Sequence, residues 1–195
     1  AETYVEDVPL NLTDIVVTNA SIPTTIARLT LSNPAAGALS TGTSGGVTAT
    51  YAAGTGVWTA GGATADVNAL LAGVSFTPTG NFNGSFTIAT SISDGTTAVT
   101  GSKAFTGTPV NDAPAGADRT ITAVEDTPLT LTAGTFALTD VDGNTLAAVK
   151  IITLPTAGSL KLDGVAVTAG QVITLADLAA GKLVFAAAAN ANGAG

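Results

Sequence analysis

Apolar and polar residues alternate with a period near two along most of this chain, in short runs broken by Gly, Pro, Asn and Asp. That pattern predicts strand after strand. Residues 4–12 read as an extended edge segment interrupted by Pro9, which only an edge or a bulge tolerates. Residues 15–17 add a short β-branched run. Residues 25–31 alternate, with Ile26, Leu29 and Leu31 as expected core positions. Residues 33–37 are a turn by composition, and 47–51 and 57–59 read as two more strands, with Trp58 in the core. Residues 65–71 predict a short helix, with Asp66 near its start and Gly73 past its end. A strand at 74–77, a turn at 81–84 and strands around 86–93 and 99–106 follow, the last two joined by an Asp94-Gly95 hairpin turn.

The second half repeats this plan. Val5-Glu6-Asp7-Val8-Pro9-Leu10-Asn11-Leu12 returns as Val124-Glu125-Asp126-Thr127-Pro128-Leu129-Thr130-Leu131, 119 positions later. Residues 154–160 match 33–39, residues 183–185 match 74–76, and Asn190-Ala191-Asn192-Gly193 matches Asn81-Phe82-Asn83-Gly84. Asp163-Gly164 lies between two apolar-alternating runs, a two-residue hairpin signal. Thr174 and Asp177 have capping-box spacing, and Gly181 can end that short helix. Val110-Asn111-Asp112-Ala113-Pro114 stands between the copies as a joint. The expected architecture is all-β: two tandem Greek-key β-sandwich domains of immunoglobulin-like type, at 1–110 and 115–195, with a linker at 111–114. No residues of the second copy match 86–93 and 99–106. It therefore reads as truncated, lacking its last strands and leaving open edges, or as completed by strand exchange with a neighbouring chain.

Composition narrows the function. There is no Cys, His or Met among the 195 residues. Without Cys there is no disulfide, zinc–thiolate site or thiol nucleophile. Without His the commonest general base and the Ser-His-Asp arrangement are gone, which argues against an enzyme. Net charge is −8, and the six basic residues are scattered, so nothing marks a nucleic-acid or anionic-lipid surface. No apolar run approaches the length of a membrane span. The chain opens at Ala1 with no signal-peptide pattern, which reads as a piece of something longer whose targeting signals lie elsewhere.

An acidic, lysine-poor chain attracts cations. Asp140-Val141-Asp142-Gly143-Asn144 sets two carboxylates at i and i+2, followed by a glycine and an amide. In an extended segment such positions point the same way, so both could meet one hard cation. Asn111 and Asp112 add an amide and a carboxylate from the joint, and Glu6 and Glu125 hold matching places in the two copies. An all-oxygen set without nitrogen or sulfur donors favours Ca²⁺. Other roles compete. Glu6-Asp7 and Glu125-Asp126 can keep edge strands soluble. Asp94, Asp142 and Asp163 are turn formers, and Asp66 and Asp177 suit helix starts.

Val110 to Pro114, Glu125 to Leu129, Asp140 to Asn144 and the stretches 154–160 and 168–193 resemble the cadherin-like tandem repeats of large bacterial cell-surface (RTX-type) adhesins. The resemblance implies modules strung end to end, exported to the bacterial cell surface, with Ca²⁺ at the junctions. Its metal ligands would be Glu6, Asn111, Asp112, Asp140 and Asp142, with Asn144 as a further candidate. Glu125 and Asp126 would serve a second metal site at the following junction. Asn19 and Ser21 stand where Asp140 and Asp142 stand, which departs from the pattern. The implied function is a calcium-stiffened spacer or cell-adhesion module of a biofilm-type adhesin, whose partners are neighbouring repeats of its own chain and a surface ligand held through other domains. The alternative is a sandwich that binds carbohydrate or another surface ligand itself. Trp58, Tyr51 and Tyr4 are too few for a glycan platform, and the threonines lack the fixed repeat an ice-binding face needs. Glycosidase chemistry from paired carboxylates lacks any sign of an aromatic-lined cleft.

Overall fold

A computed structural model describes residues 1–12, 15–17 and 23–190. The chain is mostly β, 43% strand against 11% helix, in several sheets. It divides into two compact units, Ala1–Val110 and Asn111–Gly195.

In the first unit, six strands make one sheet in the order β1-β11-β10-β3-β8-β7. These are β1 (Glu2–Val5), β3 (Thr24–Leu31), β7 (Thr50–Ala52), β8 (Val57–Ala63), β10 (Phe86–Ser93) and β11 (Ala98–Thr108). A second sheet has the order β2-β9-β4, from β2 (Leu10–Asn11), β4 (Gly37–Leu39) and β9 (Ser75–Pro78). A short pair, β5 (Thr43–Ser44) and β6 (Val47–Thr48), and the helix α1 (Thr64–Gly73) also belong to this unit. One apolar cluster draws on both large sheets, with Leu29, Leu31, Trp58, Ile88 and Phe105 from the first and Leu39 and Phe76 from the second. Trp58 is fully buried, and its indole N–H donates to Ser40 O at 3.0 Å.

Strand β3 corrects one expectation. Thr25, Ala27, Leu29 and Leu31 point inward, and Ile26 is 47% exposed. Side chains alternate faces along a strand, so Ile26 cannot share a face with Leu29 and Leu31. Residues 15–17 form no strand; the Val17 amide and carbonyl are instead bound by the Asn68 side chain of α1 at 2.9 and 3.0 Å. The expected strand at 47–51 is split at Ala49, whose N–H turns away to Gly42 O. Helix α1 has no side-chain cap and is anchored by burying Val67, Leu70 and Leu71.

The second unit repeats the smaller sheet of the first. Strands β13 (Leu129–Thr130), β16 (Ser159–Leu162), β17 (Val165–Ala166) and β19 (Leu183–Ala186) have the order β13-β19-β16-β17. Two further pairs are β12 (Ala115–Ala117) with β14 (Ala137–Thr139), and β15 (Ala148–Lys150) with β18 (Val172–Thr174). Helix α2 (Leu175–Ala179) follows β18 as α1 follows β8. Its cap is Thr174, whose hydroxyl accepts from the Asp177 N–H, while Gly181 beyond its end takes φ +67°. The Asp163-Gly164 hairpin has φ +50° and +80°, the left-handed pair that the twist of a two-residue turn requires.

The registers coincide. In the first unit Phe76 pairs with Leu10 on one side and Leu39 on the other; in the second, Phe185 pairs with Leu129 and Leu160. A glycine lets each phenylalanine lie flat on the neighbouring strand. A Cβ on Gly37 would meet Thr77 O at 2.2 Å and the Phe76 ring at 2.7 Å. A Cβ on Gly158 would meet Ala186 O at 2.5 Å and the Phe185 ring at 2.9 Å. The repeated Pro-x-Ala-Gly therefore encodes a close approach of backbone to ring.

Candidate metal centre

In the second unit, residues 140–144 form a turn, where the sequence pattern suggested an extended segment with both carboxylates on one face. Asp140 Oδ1 accepts the backbone N–H of Asp142 at 3.0 Å and of Asn144 at 2.9 Å. Gly143 takes φ +78°, and its N–H reaches Asp140 O at 3.4 Å. A short carboxylate that can satisfy its own chain's amides, followed by a residue free to adopt positive φ, favours a turn over a strand.

The turn gathers two residues of the joint, Asn111 and Asp112. Asp142 Oδ2 accepts the Asp112 N–H at 2.7 Å. The Asn144 side-chain amide donates to Asn111 Oδ1 at 2.7 Å, and the Asn111 side-chain amide donates to Asp112 O at 2.9 Å. Five of the sequence-designated ligands, Asn111, Asp112, Asp140, Asp142 and Asn144, are therefore linked in one network within the second unit. The other oxygen of Asp140, Oδ2, is buried and has no hydrogen-bond partner among the described residues. The donors on offer are carboxylate, amide and backbone oxygens, which suits a hard divalent cation.

Glu6 belongs to the first unit and is 1% exposed. Its N–H donates to Thr108 O at 3.1 Å. Its carboxylate accepts from the Asn83 side-chain amide at 3.1 Å and, through Oε1, from the Val110 N–H. The Thr108 and Val110 bonds tie the end of β1 to the end of β11, and the Asn83 bond ties it to the 81–84 turn. Among the described residues the Asn83 and Val110 bonds fill two of the roughly four acceptor positions that a carboxylate has. Burial, and secondarily the nearby Glu6 charge, raise the pKa of the Tyr4 phenol, whose hydroxyl donates to Gly84 O at 2.6 Å. Asn83 was not singled out by the sequence as a functional residue. The signal available was the Asn-x-Asn-Gly motif, which recurs at 190–193 and was read only as a turn.

Glu125 and Asp126, the second metal pair of the sequence reading, are exposed, and Asp126 takes φ +57° as Asp7 takes φ +61°. The residue matching Asn83 is Asn192, which lies outside the described residues, as do Asn19 and Ser21. The remaining acids have local roles. Asp94 Oδ1 accepts the N–H groups of Thr96 and Thr97, both at 2.8 Å, which lowers its pKa well below the usual carboxylate range. Asp177 is lowered first by the Thr174 hydroxyl and then by Lys182, whose ammonium lies 3.0 Å away. Asp66 accepts from Ser44 Oγ at 3.3 Å in the first turn of α1.

Among the described residues no helix is long and apolar enough to cross a membrane. No protein-family profile matches the chain, and comparisons with curated proteins and with solved structures return no match.

Proposed function

We propose that this chain is a spacer of an extended, exported surface adhesin, built of tandem Greek-key sandwiches and stiffened by Ca²⁺ at the linker. The observation that carries the reading is the buried Asp140 Oδ2, which has no hydrogen-bond donor among the described residues although it sits in a network of two further carboxylates and two side-chain amides. Leaving a carboxylate oxygen dry and unpartnered is costly. A hard cation supplies the missing partner. Asp112, Asp140 and Asp142 would hold it, with the side-chain oxygens of Asn111 and Asn144 completing an all-oxygen set. The resemblance adds Glu6, which binds the amide of Val110, the residue just before Asn111 in the chain.

Bound Ca²⁺ would neutralise the carboxylates and lock the linker onto the 140–144 turn, restricting how far successive modules bend. Extracellular modules bind Ca²⁺ at roughly 10⁻⁴–10⁻³ M, so the repeat would be loose inside a cell and stiff outside it. The repeated registers support a modular scaffold, since both units rebuild the same Leu–Phe–Leu row.

The test is calcium titration calorimetry together with thermal unfolding in Ca²⁺ and in EDTA. We expect binding and a raised midpoint, worth about 2.7 kcal/mol when free Ca²⁺ is a hundred times the dissociation constant. Asp142→Asn keeps the side chain's shape and should lose most of that gain while changing stability in EDTA little. Asp140→Ala removes the acceptor of two backbone bonds as well, so it should lower stability even in EDTA. Indifference of the wild type to Ca²⁺ in both measurements would sink the metal reading.

A further inference from the structure

The second unit carries an open apolar groove of about 250 Å³, lined mainly by Ile121, Ala123, Leu129, Leu131, Leu160 and Phe185. A cavity of roughly 150 Å³ is enough to hold a benzene ring. The groove's floor is the Leu129–Phe185–Leu160 row. Residues 121–124 form no strand, and Ile121 and Val124 are 46% and 64% exposed. Among the described residues, β15 pairs on one side only, with β18.

The first unit shows what fits all three features at once. There the matching row lies under Phe86, whose ring centroid is 4.5 Å from that of Phe76, and Phe105 stacks on Phe86 at 5.0 Å. Residues 2–5, which match 121–124 in sequence, are strand β1, paired in parallel with β11. The β3–β8 pair precedes α1 as β15–β18 precedes α2, and the other edge of β3 is taken by β10. One hairpin, β10–β11, therefore fills the hollow and both edges. Ala123 stands where Tyr4 stands in the first unit and leaves the groove wider.

We propose that this groove is a docking site for a β-hairpin with one inward phenylalanine on each strand, of the kind formed by residues 86–108. It is held by pairing with residues 121–124 and with the free edge of β15. Backbone pairing at an edge gives affinity and the pockets for alternate side chains give selectivity. A loose apolar ligand would satisfy the hollow but neither edge, and a single strand would satisfy one edge only. The site uses none of the proposed metal ligands and stands apart from the calcium reading.

The experiment adds a synthetic peptide of residues 84–108 to the 195-residue chain in EDTA and follows amide hydrogen exchange segment by segment. Exchange at 121–124 and 148–150 should slow by about tenfold or more at saturation, and a peptide carrying Phe86→Ser and Phe105→Ser should bind at least about tenfold more weakly. Unchanged exchange overturns the proposal. Equal protection by the serine peptide also overturns it, since that would be edge pairing indifferent to the groove. Protection of the same segments in the chain alone, growing with its concentration while exchange at 86–108 stays unchanged, would assign the groove to another surface of a second copy and overturn the hairpin.

Discussion

The same three-residue row crosses a sheet in both units, but Leu10–Phe76–Leu39 lies beneath other aromatic rings while Leu129–Phe185–Leu160 opens into a groove. The difference reaches the whole core. The first unit's fully buried set includes Trp58, Tyr4, Phe76 and Phe105, whereas the second's consists of Ile173, Leu178 and Leu183. Local devices survive the contrast unchanged. Asp7 and Asp126, and Asn81 and Asn190, all take positive φ at matching places. Turn chemistry and register are thus written into short segments and persist where tertiary cover is thin, while core depth depends on what packs above the sheet.

The sharpest way to break that comparison is to remove one ring from each unit. Phe86→Ala empties the space between Phe76 and Phe105, and should cost the first unit about 3–5 kcal/mol. Phe185 is only partly buried, so Phe185→Ala should cost the second unit roughly 1–2 kcal/mol. Trp58 is the sole tryptophan and lies in the first unit, so its fluorescence in urea reads that unit alone, with amide exchange reporting the second. Equal losses would mean that the second row is as well covered as the first.

A smaller effect sharpens the same comparison. Gly37→Ala and Gly158→Ala each push a methyl group into a carbonyl oxygen and a ring, and should cost about 1–3 kcal/mol. Gly158 also has φ +120°, which a side chain resists, whereas the φ of Gly37, 161°, is ordinary extended backbone. If the close approach dominates, the two losses are similar despite the difference in cover, as unfolding of each variant would show. A near-silent Gly158→Ala would indicate that the thinly covered ring simply moves aside.

How much of this was legible in the sequence follows range of interaction. The Asp163-Gly164 hairpin, the Thr174 cap and the repeat itself depend on neighbours within a few residues, and all can be read from the chain. Ile26 is as hydrophobic as its neighbours, and only strand parity puts it on the face opposite Leu29. The 140–144 turn was hidden because two aspartates at i and i+2 suit either an extended face or a carboxylate folded back on its own amides. Glu6 was legible as an acid at a repeat boundary, but its partners Asn83 and Val110 lie 77 and 104 residues away. No local pattern encodes such pairings; they come from β1 lying beside β11 and from the 81–84 turn folding back onto the end of β1.

The smallest effect concerns the β10–β11 hairpin of the first unit. Asp94 accepts two backbone N–H groups and the Thr96 hydroxyl at the β10–β11 turn, in the order Thr97 amide, Thr96 hydroxyl and Thr96 amide of their weight in lowering its pKa. Because the folded value lies below the ordinary 3.8, the charged form contributes stability above about pH 4, and that contribution is lost as pH falls toward the folded value. The group is exposed and the gain is modest. Asp94→Ala should therefore lower the first unit's unfolding midpoint slightly at pH 6, and the gap from wild type should close on acidification below about pH 4. A gap that stayed constant through that range would mean that the aspartate acts through its shape at the turn and not through its charge. The β10–β11 turn would then resemble the Asp163-Gly164 turn of the second unit, where positive φ at both residues sets the geometry.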